Sequence, residues 1–457
     1  MKLDIRHLTI KSVLLFVVPF ILENGFIQIA SLTDTAVVSC IGVDAVAAVG
    51  AMGIVLMLVY TFPRQVATAS QIILSRLARK NKKQVNNIIV NSLYLSTAIT
   101  LFTTGGFYLC RNFIAGTVMN LTGQAYIDAV DYLSIRLVGS LVFALSIVYM
   151  RSLKALGYAK KTLLGRSVYT VLVVITDIAA LKLGYGVKGI AFATVFCELV
   201  ELIYYVSITE LTPVTADKSV MSEMLKIYYQ CVVSVLAQRF GVVVFTSLAT
   251  KLGKDLYSLQ VMTIQIVYFV TAFGIGLAEG LLVLLGNTIA TNNKRLVKVN
   301  FYVFKRVILR AVIFFGAVSA LISYPLLKFM TNGVNFDKVM IMMAFYVVEI
   351  MCETVVNPYE YMLNVGKELR FTKRMNIIGV FLFRNMFLMA FLAMGLSIYG
   401  VAMAITFDYV VRYFIYAHKI GKDYNWIKYD KKTADELSDN EDIQILRTWR
   451  KKQSVKK

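Results

Sequence analysis

The sequence predicts an all-α polytopic membrane protein, with about twelve transmembrane helices in two pseudo-symmetric six-helix lobes. Composition is the first reason. Hydrophobic residues make up 58% of the 457 and charged residues only 16%, at a mean hydropathy of +0.68. A soluble chain carries about 25% charge, so this one cannot clothe a water-facing surface. The second reason is the recurrence of apolar stretches of roughly 20 residues, the length that crosses a bilayer. The third is an echo between the two halves. A soluble enzyme, a secreted disulfide scaffold and a disordered chain are excluded.

The spans follow in order. Lys2, Arg6 and Lys11 precede the apolar run from Ser12 to Leu22, as in a signal peptide. No small-residue cleavage site follows, and the run continues past Glu23 to Cys40, so it is read as the first span. The first lobe holds expected spans at 12–39, 46–75, 87–109, 130–152, 163–183 and 187–209. The second holds spans at 226–249, 256–286, 303–329, 338–362, 374–396 and 398–418. The lobes are expected at 1–210 and 226–420, with a cytoplasmic linker at 211–225. A charged cytoplasmic tail at 421–457 follows, with a short helix expected around Ile443 to Trp449. Pro19, Pro63 and Pro358 fall within spans and mark candidate bends.

Lysine and arginine orient the chain. One set of connections carries dense clusters: Arg76, Arg79, Lys80, Lys82 and Lys83, then Arg151, Lys154, Lys160, Lys161 and Arg166. In the second half it carries Lys294, Arg295, Lys298, Lys305 and Arg306, then Lys367, Arg370, Lys373 and Arg374. The opposite connections hold only Arg111, Lys182, Lys188, Lys251, Lys254, Lys328 and Lys338. Both termini are therefore expected in the cytoplasm, the protein lying in the cell membrane. The net charge of +21 tracks this topology and anionic lipid, not nucleic acid. Cys40, Cys110, Cys197, Cys231 and Cys352 are single and widely spaced, and the chain has 2 histidines. No metal site or cofactor is expected, and the cysteines read as small buried hydrophobes.

The halves repeat at an offset of about 211 residues. Ala78-Arg79-Lys80-Asn81-Lys82-Lys83-Gln84-Val85 follows the second span, and Ala290-Thr291-Asn292-Asn293-Lys294-Arg295-Leu296-Val297 follows the eighth. Gly189-Ile190-Ala191-Phe192-Ala193 opens the sixth, and Gly400-Val401-Ala402-Met403-Ala404 opens the twelfth. Six spans return the chain to the same side, so the copies are parallel. Two such bundles around a shared cleft suit alternating access, and favour a secondary transporter over a channel or a membrane enzyme.

Several stretches carry a family likeness. The first span and its exit read Pro19, Gln28, Leu32-Thr33-Asp34-Thr35, Gly42 and Ala45-Val46-Ala47-Ala48-Val49-Gly50. Later come Ser152-Leu153-Lys154-Ala155-Leu156-Gly157 and Gly186-Val187-Lys188-Gly189-Ile190-Ala191-Phe192-Ala193-Thr194. In order and in span position these resemble the multidrug and toxic compound extrusion (MATE) family, over about residues 10 to 420. The resemblance implies two six-helix lobes and export of drug-like, often cationic, organic compounds, driven by inward flow of protons or sodium.

A carboxylate at a helix centre costs about 2.5–3.5 kcal/mol to insert, so each embedded acid needs a wet or protein-lined site. Depth alone puts Asp34, Asp177 and Thr194 at similar height in the first lobe. Two carboxylates sharing a cavity repel, and one then keeps a proton. The resemblance points the same way: in family members with an aspartate pair in the N-terminal lobe, these three residues match the coupling positions. Val173 stands where the family has an asparagine. Simpler roles are a water-facing Asp34 and an Asp177 neutralised by Lys182. Glu198 and Glu201 share one face of the sixth span with Thr194, either lining a cavity that attracts cations or neutralised by Arg136. Glu23 is a weaker candidate.

In the second lobe, Gln238 stands where some sodium-coupled relatives have a glutamate, and Arg239 follows it. Arg239, Glu349, Glu353, Arg384, Asp408 and Arg412 mix signs at one depth, as an internal ion-pair network or as a pocket for anionic or zwitterionic substrates. Cavity-lining candidates are thus Thr194, Glu198, Glu201, Gln238, Arg239, Glu353 and Arg384, and the coupling pair is Asp34 with Asp177. The expected function is cation-antiport efflux of drug-like compounds by a monomer, with protons rather than sodium as the coupling ion. A lipid-linked oligosaccharide or polysaccharide flippase is the alternative. An integral membrane enzyme is disfavoured: His7 and His418 lie at span ends, and no long catalytic loop exists.

Overall fold

A computed structural model describes residues 5–77, 82–119, 121–249, 252, 254–291, 293–330, 335–421 and 426–427. Lys2, Arg79, Lys80, Lys251 and the tail from 428, with its expected helix at Ile443 to Trp449, lie outside them. Among the described residues, 12 helices are long and apolar enough to cross a membrane, and there is no strand. The protein is an all-helical, multi-pass membrane protein. Its helices are α1 (Ile10–Ile41), α2 (Val43–Leu77), α3 (Lys82–Leu109), α4 (Gly123–Ala155), α5 (Ala159–Lys182) and α6 (Gly186–Ser207). After a linker come α7 (Lys218–Ala249), α8 (Lys254–Ile289), α9 (Lys294–Met330), α10 (Phe336–Val365), α11 (Leu369–Ala393) and α12 (Ser397–Gly421). Pro19, Pro63 and Pro358 lie inside helices as expected, and so does Pro325.

The helix ends repeat. At the end of α4, Gly157 (φ +81) turns the backbone left-handed, and the Tyr158 N–H donates back to the Leu153 carbonyl at 2.9 Å. This satisfies a carbonyl that the helix leaves open. The same stop closes α5 at Gly184, α11 at Gly395 and α10 at Lys367 (φ 70), where Glu368 N–H reaches the Leu363 carbonyl at 2.9 Å. Gly157 with Lys367, and Gly184 with Gly395, are spaced as the sequence echo is. One difference between the copies is a π-helical segment, Ile377–Phe383, in the middle of α11, directly before Arg384.

Contacts divide the chain into two compact units. One comprises 22–74 and 79–232. In it α4 packs on α3 and α6, and α5 packs on α6, around a core that includes Met52, Leu133, Leu137 and Ala191. The linker to α7 is laced to α3. Asn86 donates to the Thr212 carbonyl at 2.8 Å and accepts from the Thr212 N–H at 3.0 Å, while Asn91 accepts from the Asp217 N–H at 2.9 Å. Asp217 then caps α7, accepting from the Ser219 N–H at 2.9 Å and from Asn87 Nδ2 at 3.0 Å. The other unit comprises 1–21, 75–78 and 233–457. In it α10 packs on α8, α9 and α12 around Leu327, Met342, Tyr346 and Val401. Trp426, buried against Phe301 and Gly366, belongs to this unit.

Candidate functional site

In the first unit the embedded charges sit at two levels. Nearer the middle of the chain's first span, Glu23 of α1 is fully buried, and Lys154 Nζ of α4 lies 2.6 Å from its Oε1. Thr162 of α5 donates to Glu23 Oε2 at 3.2 Å. Glu201 of α6 lies 3.4 Å from Arg166 Nε and accepts from Tyr205 Oη at 3.0 Å and Ser146 Oγ at 3.3 Å. Gly165 makes room for this network: a Cβ there would come within 2.8 Å of the Tyr205 ring. Two acids face two bases, and this level is neutral.

The second level is not. Asp34 of α1 and Asp177 of α5 bring their carboxyl groups together, within reach of Arg136 of α4. Both oxygens of Asp177 and Oδ1 of Asp34 are buried with no hydrogen-bond partner among conventional donors of the described residues. A carboxylate only accepts, so the two can hydrogen-bond to each other only when one carries a proton. Glu198 of α6 takes the Arg136 Nη2 at 3.2 Å. The Arg136 guanidinium lies 5.6 Å from the Tyr60 ring, which stacks on Phe143 at 4.4 Å. Three acids therefore face one guanidinium, in a region where an uncompensated charge is costly.

The second unit holds a different cluster. Asp408 of α12 accepts from Arg384 Nε at 2.9 Å, and its Oδ2 lies 2.7 Å from Arg384 Nη2 and 2.9 Å from Arg412 Nη2. The Tyr409 ring lies 4.1 Å from the Arg412 guanidinium and 5.5 Å from that of Arg384. Gly379, in the π-helical segment, admits the cluster: a Cβ there would meet Arg412 Cδ at 2.8 Å and Asp408 Oδ1 at 3.1 Å. On α10, Glu349 and Glu353 form a second buried carboxyl pair, with Asn357 donating to Glu353 at 3.0 Å. No group of three or more His, Cys, Asp or Glu among the described residues could hold a metal ion.

The MatE family model matches residues 19–178, a segment that contains both Asp34 and Asp177. That segment is similar to the MatE family. The chain as a whole has the fold of solved MATE transporters. It aligns with an outward-facing multidrug resistance MATE family transporter of the MOP superfamily at TM-score 0.84 and 18% identity, covering 93% of this chain and 98% of that one. A MATE crystal structure in complex with MaL6 aligns at 0.83 and 16% identity, covering 92% and 98%. A MOP superfamily transporter from Pyrococcus furiosus, described as having a binding pocket of reversed polarity, aligns at 0.82 and 16% identity, covering 92% and 97%. A search of curated proteins found no match.

Within this MATE fold the expected site residues separate. Asp34, Asp177 and Glu198 converge around Arg136. Glu201 faces the same side of α6 but pairs one level away with Arg166. Thr194 is buried and its hydroxyl donates to the Ile190 carbonyl of its own helix at 2.9 Å. Lys182 is exposed and Asp177 does not pair with it; five residues along a helix carry a side chain well round from its start. Arg384 and Glu353 are buried in the second unit, whereas Gln238 is half-buried and Arg239 is exposed. Arg239 is thus not in the Arg384–Asp408–Arg412 network. The cysteines divide as well: Cys197 and Cys231 are buried, but Cys40 and Cys110 are exposed. The tyrosines around Arg136, namely Tyr60, Tyr132 and Tyr169, carried no signal in the sequence. The Glu349–Glu353 pair did, through its helical spacing of four.

Proposed function

We propose that the protein is a secondary active efflux transporter of MATE type, exporting drug-like, cationic organic compounds in exchange for protons. The observation that carries this reading is the Asp34–Asp177 pair, two carboxyl groups brought together with no dedicated counter-ion and no conventional donor. Such a pair holds protons when the side it faces is acidic and releases them when it is not. Proton binding then biases the first unit toward the state that lets substrate go. The MatE match over that segment supports it. The topology that accompanies it has both termini in the cytoplasm, with the chain working as a monomer and needing no cofactor. An oligosaccharide-lipid flippase would need a cluster of guanidinium groups available to a diphosphate; Arg384 and Arg412 are both bound to Asp408, and the exposed Arg239 stands apart from them, which favours the efflux reading.

The test is efflux of a cationic fluorophore from proteoliposomes under an imposed pH gradient and, separately, a sodium gradient. Flux driven by the pH gradient should be largely lost in Asp34→Asn and in Asp177→Asn. Normal flux in Asp177→Asn at equal reconstitution would remove the coupling role.

A further inference from the structure

Arg136 has more hydrogen-bonding capacity than its surroundings use. The residue is only 7% exposed, and of its three nitrogens only Nη2 meets an acceptor, at Glu198. Nε and Nη1 are buried with no hydrogen-bond partner in the described residues. A guanidinium presents five N–H donors in a fixed fork, and a buried donor without an acceptor costs about 1–3 kcal/mol. The groups around it are Asp34 on α1, Tyr60 on α2, Tyr132 on α4, Asp177 and Tyr169 on α5, and Glu198 on α6. Two further arginines stand behind these groups, Arg64 on α2 acting on Tyr60 and Arg166 on α5 acting on Tyr169 and Glu198, whereas Arg136 is the cation that acts on both aspartates.

The charges count out simply. With a proton on each of Asp34 and Asp177, Glu198 and Arg136 balance. When a proton leaves, the nearest positive charge for the new carboxylate is the unused edge of Arg136. A carboxyl pair without such a neighbour would need a metal cation to enter in place of the proton. Resting on the proton-coupled reading above, we infer that Arg136 is the resident cation of the Asp34–Asp177 site: its free N–H edge donates to the deprotonated pair, offsets part of its charge and so keeps sodium out. Glu198 is the positioning residue, holding one corner of the guanidinium while the rest stays available. Coupling-ion choice is thereby set by a residue of α4 that bears no resemblance to an ion ligand.

The experiment uses the full chain, purified and reconstituted, with radioactive sodium binding measured beside dye efflux. Wild type should show no saturable sodium binding and no stimulation by a sodium gradient. Arg136→Gln should acquire saturable sodium binding that is lost again in Arg136→Gln/Asp177→Asn, and its pH-driven flux should fall at least about tenfold. Arg136→Lys, which keeps the charge, should still bind no sodium and keep proton-driven flux; it carries the test if Arg136→Gln does not fold. Saturable sodium binding in wild type or Arg136→Lys would overturn the inference. So would an Arg136→Gln protein that binds no sodium and keeps flux within twofold of wild type. Those failures are distinct from normal flux in Asp177→Asn, which would overturn the coupling reading itself whatever Arg136 does.

Discussion

Replacing Lys154 by methionine tests how dry the first unit's interior is. Its ammonium lies 2.6 Å from Glu23 Oε1, with the two side chains 2% and 0% exposed. At an effective dielectric constant near 20, two unit charges at that separation attract by roughly 6 kcal/mol. Part of that only offsets the cost of burying both ions, so the whole does not appear as stability. The measurable loss on removing one partner of such a pair is about 3–5 kcal/mol, because the other charge stays buried. Thr162 still donates to Glu23 Oε2 at 3.2 Å, which puts the expectation for Lys154→Met toward the lower end of that range. The assay is unfolding in mixed micelles of increasing SDS content, followed by circular dichroism. Glu23→Gln and the double variant complete the cycle. The double variant should be far less destabilised than the sum of the singles, with a coupling above about 2 kcal/mol. A Lys154→Met cost under about 1 kcal/mol, with negligible coupling, would show that the pair is hydrated and that the reasoning from burial is wrong.

Two further outcomes follow from the geometry. Gly379→Ala should destabilise by about 1–3 kcal/mol, since its Cβ would press on Arg412 and Asp408, whereas Gly53→Ala, with nothing within 4 Å, should not; thermal unfolding of the two separates a tight fit from a general intolerance of alanine. Asp217 is held below the ordinary aspartate range by the Asn87 side chain and then by the Ser219 and Val220 N–H groups. A depressed folded-state value means stability present above the unfolded value near 3.8 and lost as pH falls through the folded one. Unfolding midpoints measured from neutral pH down through the carboxylate range should thus show a smaller acid-side drop in Asn87→Ala than in wild type, and an unchanged profile would show that the cap contributes nothing.

The twelve spans were legible because apolar length is a direct reading of bilayer thickness; the left-handed stops at Gly157, Gly184 and Gly395 came from the structure. Lys367 performs the same turn. That Glu198 and Glu201 share a face followed from helical spacing; that one answers to Arg136 and the other to Arg166 did not, since the partners come from two other helices. Arg239 shows the same limit. A basic residue in an apolar run must be accommodated somewhere, but sequence depth says nothing of direction, and here the side chain is exposed beside a half-buried Gln238. The meeting of Asp34 with Asp177 was reached through depth and family likeness, and neither could say that an arginine with an unused edge stands next to them.

The two exposed thiols give the chain ready-made reporters. Cys40 sits near the end of α1, less than two helical turns beyond Asp34, and Cys110 directly follows α3. Both lie in the unit that carries the acid pair, while Cys197 and Cys231 are shielded by burial. With the half-buried Cys352 of the other unit replaced, spin labels would span from the end of the helix that bears Asp34 to a point on the same unit. Acidification could then be followed as a change in one distance, in a protein to which no cysteine has been added.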